Sequence, residues 1–292
     1  MHRETDTVKL LKTLLGLYKP SGGEVYRLAE VAKLNKLLLA YLRRVGDALR
    51  DELTCEEARY EWFTGNVVEV VGVLEGVEAN YALYKFRRPF KHVSVDLDIL
   101  IRVDDVPKAV KALISRGFKV AIWEPYTVTL ARAGFIVDLY THPSFAWVVY
   151  MDGGGLLDCC VEEVDVRGLV AKALSMEAEV AVAAAHAVYK EHIVLLMDCL
   201  LAWSWMNKRV WSLAIEYNVE GALEALIETC SLVKAGLVEA PYRLKSHVLF
   251  KTYTRKALHD PLFRSTLLNI LRYLARRDLG LGISARLTRR SY

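Results

Sequence analysis

Apolar side chains in the first sixty residues recur at the spacing of amphipathic helices. One stripe with a period close to 3.6 residues covers residues 10–18, until Pro20 and two glycines interrupt it. A second stripe covers residues 25–53. The pattern therefore predicts two helices and a helical section over residues 1–60.

The period changes after residue 66, where β-branched residues become frequent. The run from Val67 to Leu74 is almost continuously apolar, which predicts a short buried strand that ends at Gly76. Residues 77–86 then predict a short helix, and a basic loop follows.

Four later segments have the alternation or the β-branched content of strands. A helix between the first two has Pro107 in its first turn and Gly117 just after its end, which are the usual positions for these residues. The order of elements predicts a small mixed sheet. The predicted strands are residues 93–101, 118–123, 126–132 and 135–140.

The pattern beyond residue 165 indicates helices throughout, with a break near Gly168. We therefore expect an α+β fold in three sections. N-terminal helices occupy residues 1–60, a small mixed-sheet core occupies residues 61–165, and an all-helical C-terminal domain occupies residues 166–292.

Composition is that of a globular chain, with 53% hydrophobic and 25% charged residues among 292. The most apolar stretch, residues 193–206, is interrupted by Asp198 and is shorter than the roughly 18 residues that a membrane span needs. The first residues include acids and no apolar block, unlike a signal peptide. We expect a soluble, cytoplasmic protein with no membrane partner. The absence of glutamine favours a thermophilic source.

The five cysteines lack the C-x-x-C spacing of common metal and redox motifs. Cys159 and Cys160 are adjacent, so a relaxed bridge between them is not expected. The sequence therefore predicts buried, reduced thiols rather than a zinc site.

Positive charge is concentrated at the C-terminal end. The whole chain has a formal net charge of +4, but Arg243–Arg290 contains twelve Lys or Arg against two Asp. That segment therefore carries +10 and the rest of the chain carries −6. Such an end is typical of a site for RNA or another polyanion, and it is equally compatible with a solvated helix face.

Three aspartates have the spacing of a metal site. Asp96 and Asp98 lie two apart on a predicted strand, so their side chains project from the same face. Asp138 is a single acid in another apolar strand. Like charges on an apolar face repel each other unless a cation lies between them. Oxygen ligands of this kind favour Mg²⁺, and two ions could activate a hydroxyl and neutralise a leaving pyrophosphate.

The order of a strand, a glycine turn, a short helix, a basic loop and a D-x-D strand, with a later strand aspartate, resembles the nucleotidyltransferase fold of the DNA polymerase beta superfamily. More narrowly, the segments around Gly76 and Val95–Ile101 are similar to an uncharacterised prokaryotic nucleotidyltransferase group. The similarity covers roughly residues 30 to 205, including the helical region that contains His186 and Lys190.

This resemblance implies a metal-dependent transfer of a nucleotidyl group from an NTP to an acceptor. Asp96, Asp98 and Asp138 would then be catalytic and would hold two Mg²⁺ ions. The residues that the resemblance assigns to nucleotide binding are Gly76, Lys85, Arg87, Arg88 and Lys91.

Two departures from the family pattern support an alternative. Glu75 stands where the narrower group has lysine, and Val77 offers no hydroxyl to a phosphate. The alternative is a catalytically degenerate nucleotidyltransferase-like module that binds RNA or a protein. His186 and Lys190, four residues apart, either contact substrate from one helix face or belong to a packed core. A helical interaction protein, in which the acids have no chemical role, is a third hypothesis.

Overall fold

A mixed seven-stranded β-sheet lies at the centre of the computed structural model, which describes residues 4–275. The strand order is β3-β4-β5-β2-β1-β9-β8. Strands β2 and β5 are parallel, as are β1 and β9, and the other neighbours are antiparallel. The strands of this sheet are β1 (Tyr81–Leu83), β2 (Asp96–Ile101), β3 (Lys119–Trp123), β4 (Thr127–Arg132), β5 (Phe135–Tyr140), β8 (Val161–Val166) and β9 (Leu169–Leu174).

Helices precede, cover and follow this sheet, so the α+β class and the flanking helices predicted from the sequence are confirmed. The first five helices are α1 (Asp6–Leu14), α2 (Gly23–Leu34), α3 (Leu38–Val45), α4 (Arg50–Gly76) and α5 (Val106–Ser115). The later ones are α6 (Gly153–Cys159), α7 (Met176–His186), α8 (Leu196–Trp205), α9 (Lys208–Glu216), α10 (Glu220–Lys234), α11 (Ser246–His259), α12 (Pro261–Thr266) and α13 (Asn269–Ala275). Two short strand pairs are β6 (Ser144–Phe145) with β7 (Val148–Val149), and β10 (Ile193–Val194) with β11 (Tyr242–Arg243).

The two faces of the sheet pack against different helices. One face contributes Leu97 and Ile99 to a core shared with α4 and α5. The other face contributes Leu100 and Tyr140 to a larger core, which the N-terminal helices and α7 to α10 complete. Because alternate residues of a strand point to opposite faces, Asp96, Asp98 and Leu100 lie on the side of the larger core.

The predicted strand over Val67–Leu74 is wrong, because this segment is the second half of the 27-residue helix α4. The buried positions Phe63, Val67, Val70 and Leu74 follow three- and four-residue steps. Packing of this stripe against the sheet outweighs the strand preference of β-branched residues.

Residues 77–86 do not form the predicted helix. Tyr81–Leu83 is strand β1, which pairs antiparallel with the end of β2. All three residues of β1 are buried, so tertiary contacts rather than any local pattern place this strand.

The predicted helix over residues 25–53 is divided in the structure. Helix α2 ends before Lys36, whose φ is 58°, and α3 ends at Val45, just before Gly46. A short 3₁₀ turn then leads into α4. The apolar stripe continued through these breaks, so periodicity alone did not reveal them.

The prediction that everything beyond residue 165 is helical is wrong for the β8–β9 hairpin and for the short β10–β11 pair. Val166 pairs with Leu169, and Arg167 and Gly168 between them have positive φ values of 56° and 83°. Two such residues make a turn whose twist suits a two-residue hairpin. The sheet therefore extends to Leu174, and α4 and this hairpin cross the section limits expected at residues 60 and 165.

Four of the five cysteines are disulfide-bonded, and the fifth, Cys55, is reduced but exposed, so the prediction of buried, reduced thiols is wrong. Cys199 of α8 is bonded to Cys230 of α10, and both are buried. Cys159 is bonded to its neighbour Cys160, which the sequence argument did not expect.

Candidate functional site

Three carboxylates converge at the centre of the sheet. In the parallel pairing of β2 with β5, Asp98 lies directly opposite Asp138, and Asp96 lies opposite Ile136. Asp96, Asp98 and Asp138 each offer an oxygen within 4.8 Å of the others, and we call them the acid cluster. The structure thus brings together the three aspartates that the sequence singled out.

The neighbouring strand fixes Asp138 by a hydrogen bond. Thr129 of β4 pairs with Asp138 in the antiparallel register, and its hydroxyl donates to Oδ1 of Asp138. The β4–β5 turn at Ala133 and Gly134 sets this register, with positive φ values of 47° and 83°. Ser94 likewise donates to Oδ1 of Asp96 at 3.2 Å.

Burial and mutual repulsion separate the pKa values of the acid cluster. Burial, followed by the charge of Asp98, raises the pKa of Asp138 to about 6. Burial also raises the pKa of Asp98, although Lys85 opposes this. The pKa of Asp96 is lowered, because the charges of Lys85, Lys36 and Lys190 outweigh its burial. A carboxyl with a pKa near 6 is suited to accept a proton close to neutral pH.

Lys85 is the predicted phosphate ligand that lies in this site. It follows β1 by two residues, and its Nζ lies 2.7 Å from Oδ2 of Asp98. Burial alone would lower the pKa of Lys85, but the charges of Asp98 and Asp96 raise it above its usual value. The lysine therefore stays charged within the acid cluster.

Gly76 does not form the turn that the resemblance implied. It is the last residue of α4, not the end of a strand, so the predicted phosphate turn at Gly76 and Val77 is wrong. The antiparallel neighbour of β2 is β1, and Lys85 lies two residues after its end, beside the acids. Glu75 and Val77 therefore lie at the end of a helix and not in the family's strand-to-turn segment, so their departures from the family pattern do not concern that turn.

The other predicted phosphate ligands are engaged elsewhere. Arg87 pairs with Glu162 of β8, and Arg88 lies 3.1 Å from Glu179 of α7. Glu179 is fully buried, and it also accepts the backbone N–H of Phe86 at 2.9 Å. These contacts fasten the loop after β1 to the sheet edge and to α7.

Lys91, the last of this group, lies on the surface. Its Nζ is 5.7 Å from the ring centre of Tyr60 in α4. The structure therefore separates the predicted basic group into one lysine beside the acids, two anchored arginines and one peripheral lysine.

His186 and Lys190 lie at a break in helix geometry. A π-helical turn over Ala187–Glu191 follows α7, so the two side chains do not share an α-helical stripe. His186 is partly buried, with Nδ1 3.5 Å from the hydroxyl of Tyr150 and Nε2 3.5 Å from a carboxylate oxygen of Glu191. Burial and the charges of Lys85 and Lys190 hold the pKa of His186 well below its usual range, so it is neutral.

Lys190 reaches toward the acid cluster. Its Nζ donates to the hydroxyl of Tyr140 at 3.4 Å and lies 5.5 Å from that ring centre. Its charge also acts on all three aspartates. Of the two helical residues that the sequence proposed, Lys190 thus belongs to the site, whereas His186 packs behind it.

Sequence reasoning missed Lys36 and two tyrosines. Lys36 is exposed in the α2–α3 connection, and its charge reaches Asp96 and His186. Tyr84 and Tyr140 are buried beside Lys85. No local motif marks any of them, because tertiary folding brings them to the acids from separate elements.

The chemistry of the donor set fits a divalent cation. Oδ1 of Asp98 is buried and accepts no hydrogen bond, which is costly for a charged oxygen. Two further carboxylate oxygens lie within 4.8 Å of Asp98, and all three are the hard donors that Mg²⁺ prefers. A small cleft reaches Asp96 and Asp98 and is lined also by Phe63, Phe86, His92 and Ser94.

Comparison with solved structures finds a likeness of low degree. The chain is similar to ANT(2'')-Ia, an aminoglycoside nucleotidyltransferase and antibiotic-resistance factor, with a TM-score of 0.34 and 13% identity. The match covers 60% of this chain and 90% of that one. No family model and no curated protein matches the chain. A likeness of this degree assigns no activity, so the activity has to come from the acid cluster itself.

No helix among residues 4–275 has both the length and the apolar content to cross a lipid bilayer. The cytoplasmic location and the thermophilic source stay predictions from composition.

Proposed function

We propose that this protein is a divalent-metal-dependent nucleotidyltransferase, which transfers a nucleotidyl group from an NTP to an acceptor. The observation that carries this proposal is the acid cluster: three aspartates from adjacent parallel strands, with one buried oxygen that has no hydrogen-bond partner. In the fold implied by the sequence resemblance, acids at these positions hold the metal.

Each acid has a distinct part in the proposed reaction. Asp96 and Asp98 would hold Mg²⁺, which when bound neutralises phosphate charge and favours ionisation of the acceptor hydroxyl. Asp138 would share that ion and accept the proton of the hydroxyl, since its pKa of about 6 leaves it ionised at neutral pH.

Lysines from three separate elements would attract the triphosphate. Lys36, Lys85 and Lys190 all lower the pKa of Asp96 through their charges, so all three are close enough to act on the acid cluster. Their combined charge would offset the repulsion between an anionic nucleotide and the carboxylates.

A second candidate function also has an observation in its favour. In the Lys85–Asp98 ion pair, an ammonium group occupies an oxygen of Asp98 that would otherwise be open to a metal ion. In a catalytically degenerate module, this pair would stabilise the site without a metal, and the protein would bind RNA or a protein partner.

The basic C-terminal end remains a prediction. Arg276, Arg277, Arg286, Arg289 and Arg290 lie outside the described residues. Of the basic residues that are described there, Arg255 pairs with Glu220 and Glu224 of α10. An RNA acceptor held by this end would show a salt-dependent affinity that weakens when Arg286, Arg289 and Arg290 become alanine.

The test uses each of the four NTPs labelled at the α-phosphate, with Mg²⁺ or Mn²⁺ and pools of RNA, protein and small-molecule acceptors. Transfer of label to an acceptor is expected with the wild type. It should fall about 100-fold or more in Asp98→Asn, since even partners of metal ligands contribute 10- to 100-fold. Asp104→Asn, an exposed aspartate beyond the end of β2, is the matched control and should retain activity.

The alternative gives a different result. Binding of RNA or a protein, with no label transferred under any of these conditions and no effect of Asp98→Asn on binding, would favour the degenerate module.

A further inference from the structure

The two oxygens of Asp98 have different surroundings. Oδ2 lies 2.7 Å from Nζ of Lys85, whereas Oδ1 is buried without a hydrogen-bond partner. The side chains of Asp98 and Lys85 are only 7% and 13% exposed, so water does not replace either contact freely. One oxygen of Asp98 is therefore already matched by a positive charge, and the other is not.

The backbone holds Lys85 in this position. The N–H of Tyr84 donates to the carbonyl oxygen of Asp98 at 3.0 Å, which continues the β1–β2 ladder up to the residue before Lys85. Lys85 then has a φ of 57°, a conformation that non-glycine residues seldom adopt unless the surroundings require it.

Aromatic rings confine the lysine side chain as well. Its Nζ lies 5.1 Å from the ring centre of Tyr84 and 5.8 Å from that of Tyr140, both within cation–π range. Three kinds of contact thus direct one ammonium group to one carboxylate oxygen.

A pair of metal ions needs more open carboxylate oxygens than this site offers. Two-ion centres place the ions roughly 3.5–4 Å apart and share carboxylates between them. An ion bridged by Oδ2 of Asp98 would have to approach the ammonium group of Lys85, and like charges at such distances repel strongly where water is scarce. The remaining donors, Oδ1 of Asp98 with Asp96 and Asp138, suffice for one ion.

We propose that Lys85 takes the place of the second cation, so that the acid cluster holds a single divalent ion and a fixed ammonium group. This inference rests on the proposed function and replaces the two ions expected from the sequence resemblance with one. Lys85 would neutralise charge as a permanent part of the protein, whereas the ion would bind and dissociate.

Counting Mn²⁺ ions by electron paramagnetic resonance tests this without any nucleotide. The wild type should bind one Mn²⁺ per chain, with the spectrum of an isolated ion. Lys85→Met should bind two per chain with spin–spin coupling between them, and its first Mn²⁺ should bind about tenfold more tightly because a neighbouring positive charge is gone. Lys91→Met, a lysine of the same loop that lies over Tyr60, is the control and should bind one.

Circular dichroism shows whether Lys85→Met is folded. Lys85→Gln is the second variant, because its amide can still donate to Oδ2 of Asp98 without carrying charge, and the same gain of a second ion is expected. A count other than one in the wild type, or an unchanged count and affinity in both Lys85 variants, would overturn the inference.

Ion counting tests the single-ion inference and label transfer tests the proposed reaction, so either proposal can fail without the other. One ion in the wild type and two in Lys85→Met would support the inference even if no acceptor ever receives label. Two coupled ions in an active wild type would overturn it and leave the proposed reaction standing.

Discussion

Two buried lysine–aspartate pairs lie in different regions of the molecule and resemble each other closely. Lys85 and Asp98 belong to the acid cluster, whereas Lys256 and Asp260 lie at the end of α11. The nitrogen–oxygen distance is 2.7 Å in both. Each ammonium group also lies within 6 Å of two aromatic rings. These rings are Tyr84 and Tyr140 for Lys85, and Tyr189 and Phe263 for Lys256.

The pairs differ in whether their polar atoms are satisfied. Lys256 also donates to the backbone carbonyls of Tyr217 at 3.0 Å and Asn218 at 3.2 Å. The second oxygen of Asp260 accepts the N–H of Phe263 at 2.9 Å, which caps α12.

By contrast, Oδ1 of Asp98 has no hydrogen-bond partner, and Asp98 shares its site with two further carboxylates. A complete set of partners is typical of a pair that joins helices. An incomplete set with surplus negative charge indicates a place for a ligand.

The largest expected effect is the loss of the structural pair. Lys256→Met leaves one oxygen of a buried carboxylate and two carbonyls without this donor, so the free energy of unfolding should fall by about 3–5 kcal/mol. Urea denaturation measures it, and added Mg²⁺ should not restore the loss. Lys251→Met, at an exposed position of the same helix, should change little.

The same substitution at Lys85 sharpens the contrast. Lys85→Met should also destabilise the metal-free protein, but Mg²⁺ should recover most of the loss because an ion can occupy the vacated place. Equal recovery of both variants, or of neither, would remove the distinction between the two pairs.

The next effect concerns the pH dependence of stability. The pKa of Asp138 is about 6 in the folded protein against an ordinary value of 3.8, so the folded state binds this proton more tightly than the unfolded state does. Stability without metal should therefore fall as the pH rises from about 4 to about 6, by at most about 3 kcal/mol.

Asp138→Asn isolates this contribution. The variant lacks the titrating group, so its stability relative to the wild type should increase over that pH range and stay constant above it. Denaturation in EDTA at pH 4.5 to 7.5 is the measurement, with Asp104→Asn as the control that should follow the wild type. A difference that does not change with pH would contradict the raised pKa.

The smallest effect concerns the hydroxyl that steadies Asp138. Thr129→Val removes the hydrogen bond to Oδ1 while keeping the shape of the side chain, at a cost of about 1 kcal/mol. Since that bond lowers the pKa of Asp138, the pKa should rise further, which carboxyl chemical shifts measured by NMR would show. Thr127→Val, two residues earlier on the same strand, should leave the pKa unchanged.

Much of the acid cluster was predictable because its signals are local. Alternation within residues 93–101 and 135–140 identified β2 and β5, and the i, i+2 spacing put Asp96 and Asp98 on one face. Pro107 and Gly117 marked the limits of α5 closely, because both residues act through their own backbone geometry.

The elements that were mispredicted depend on distant contacts. Val67–Leu74 satisfies both a strand and a helix pattern, and only the sheet beneath it decides between them. Strand β1 has only three residues, all buried, so it shows no alternation of apolar and polar positions that could predict a strand. The role of Lys85 depends on that strand, so it could not be separated from the neighbouring arginines. Gly168 in the β8–β9 turn was visible in the sequence, but it was interpreted only as a break between helices.

The β4–β5 turn has a consequence for how this chain could change its length during evolution. Ala133 and Gly134 are the whole connection between Arg132 and Phe135, and that count sets Thr129 opposite Asp138. Insertion or deletion of one residue within β5 before Asp138 would turn this carboxylate to the opposite face of the sheet, away from Asp96 and Asp98. Homologues that keep the chemistry should therefore vary more in the length of their loops than in the number of residues from Phe135 to Asp138.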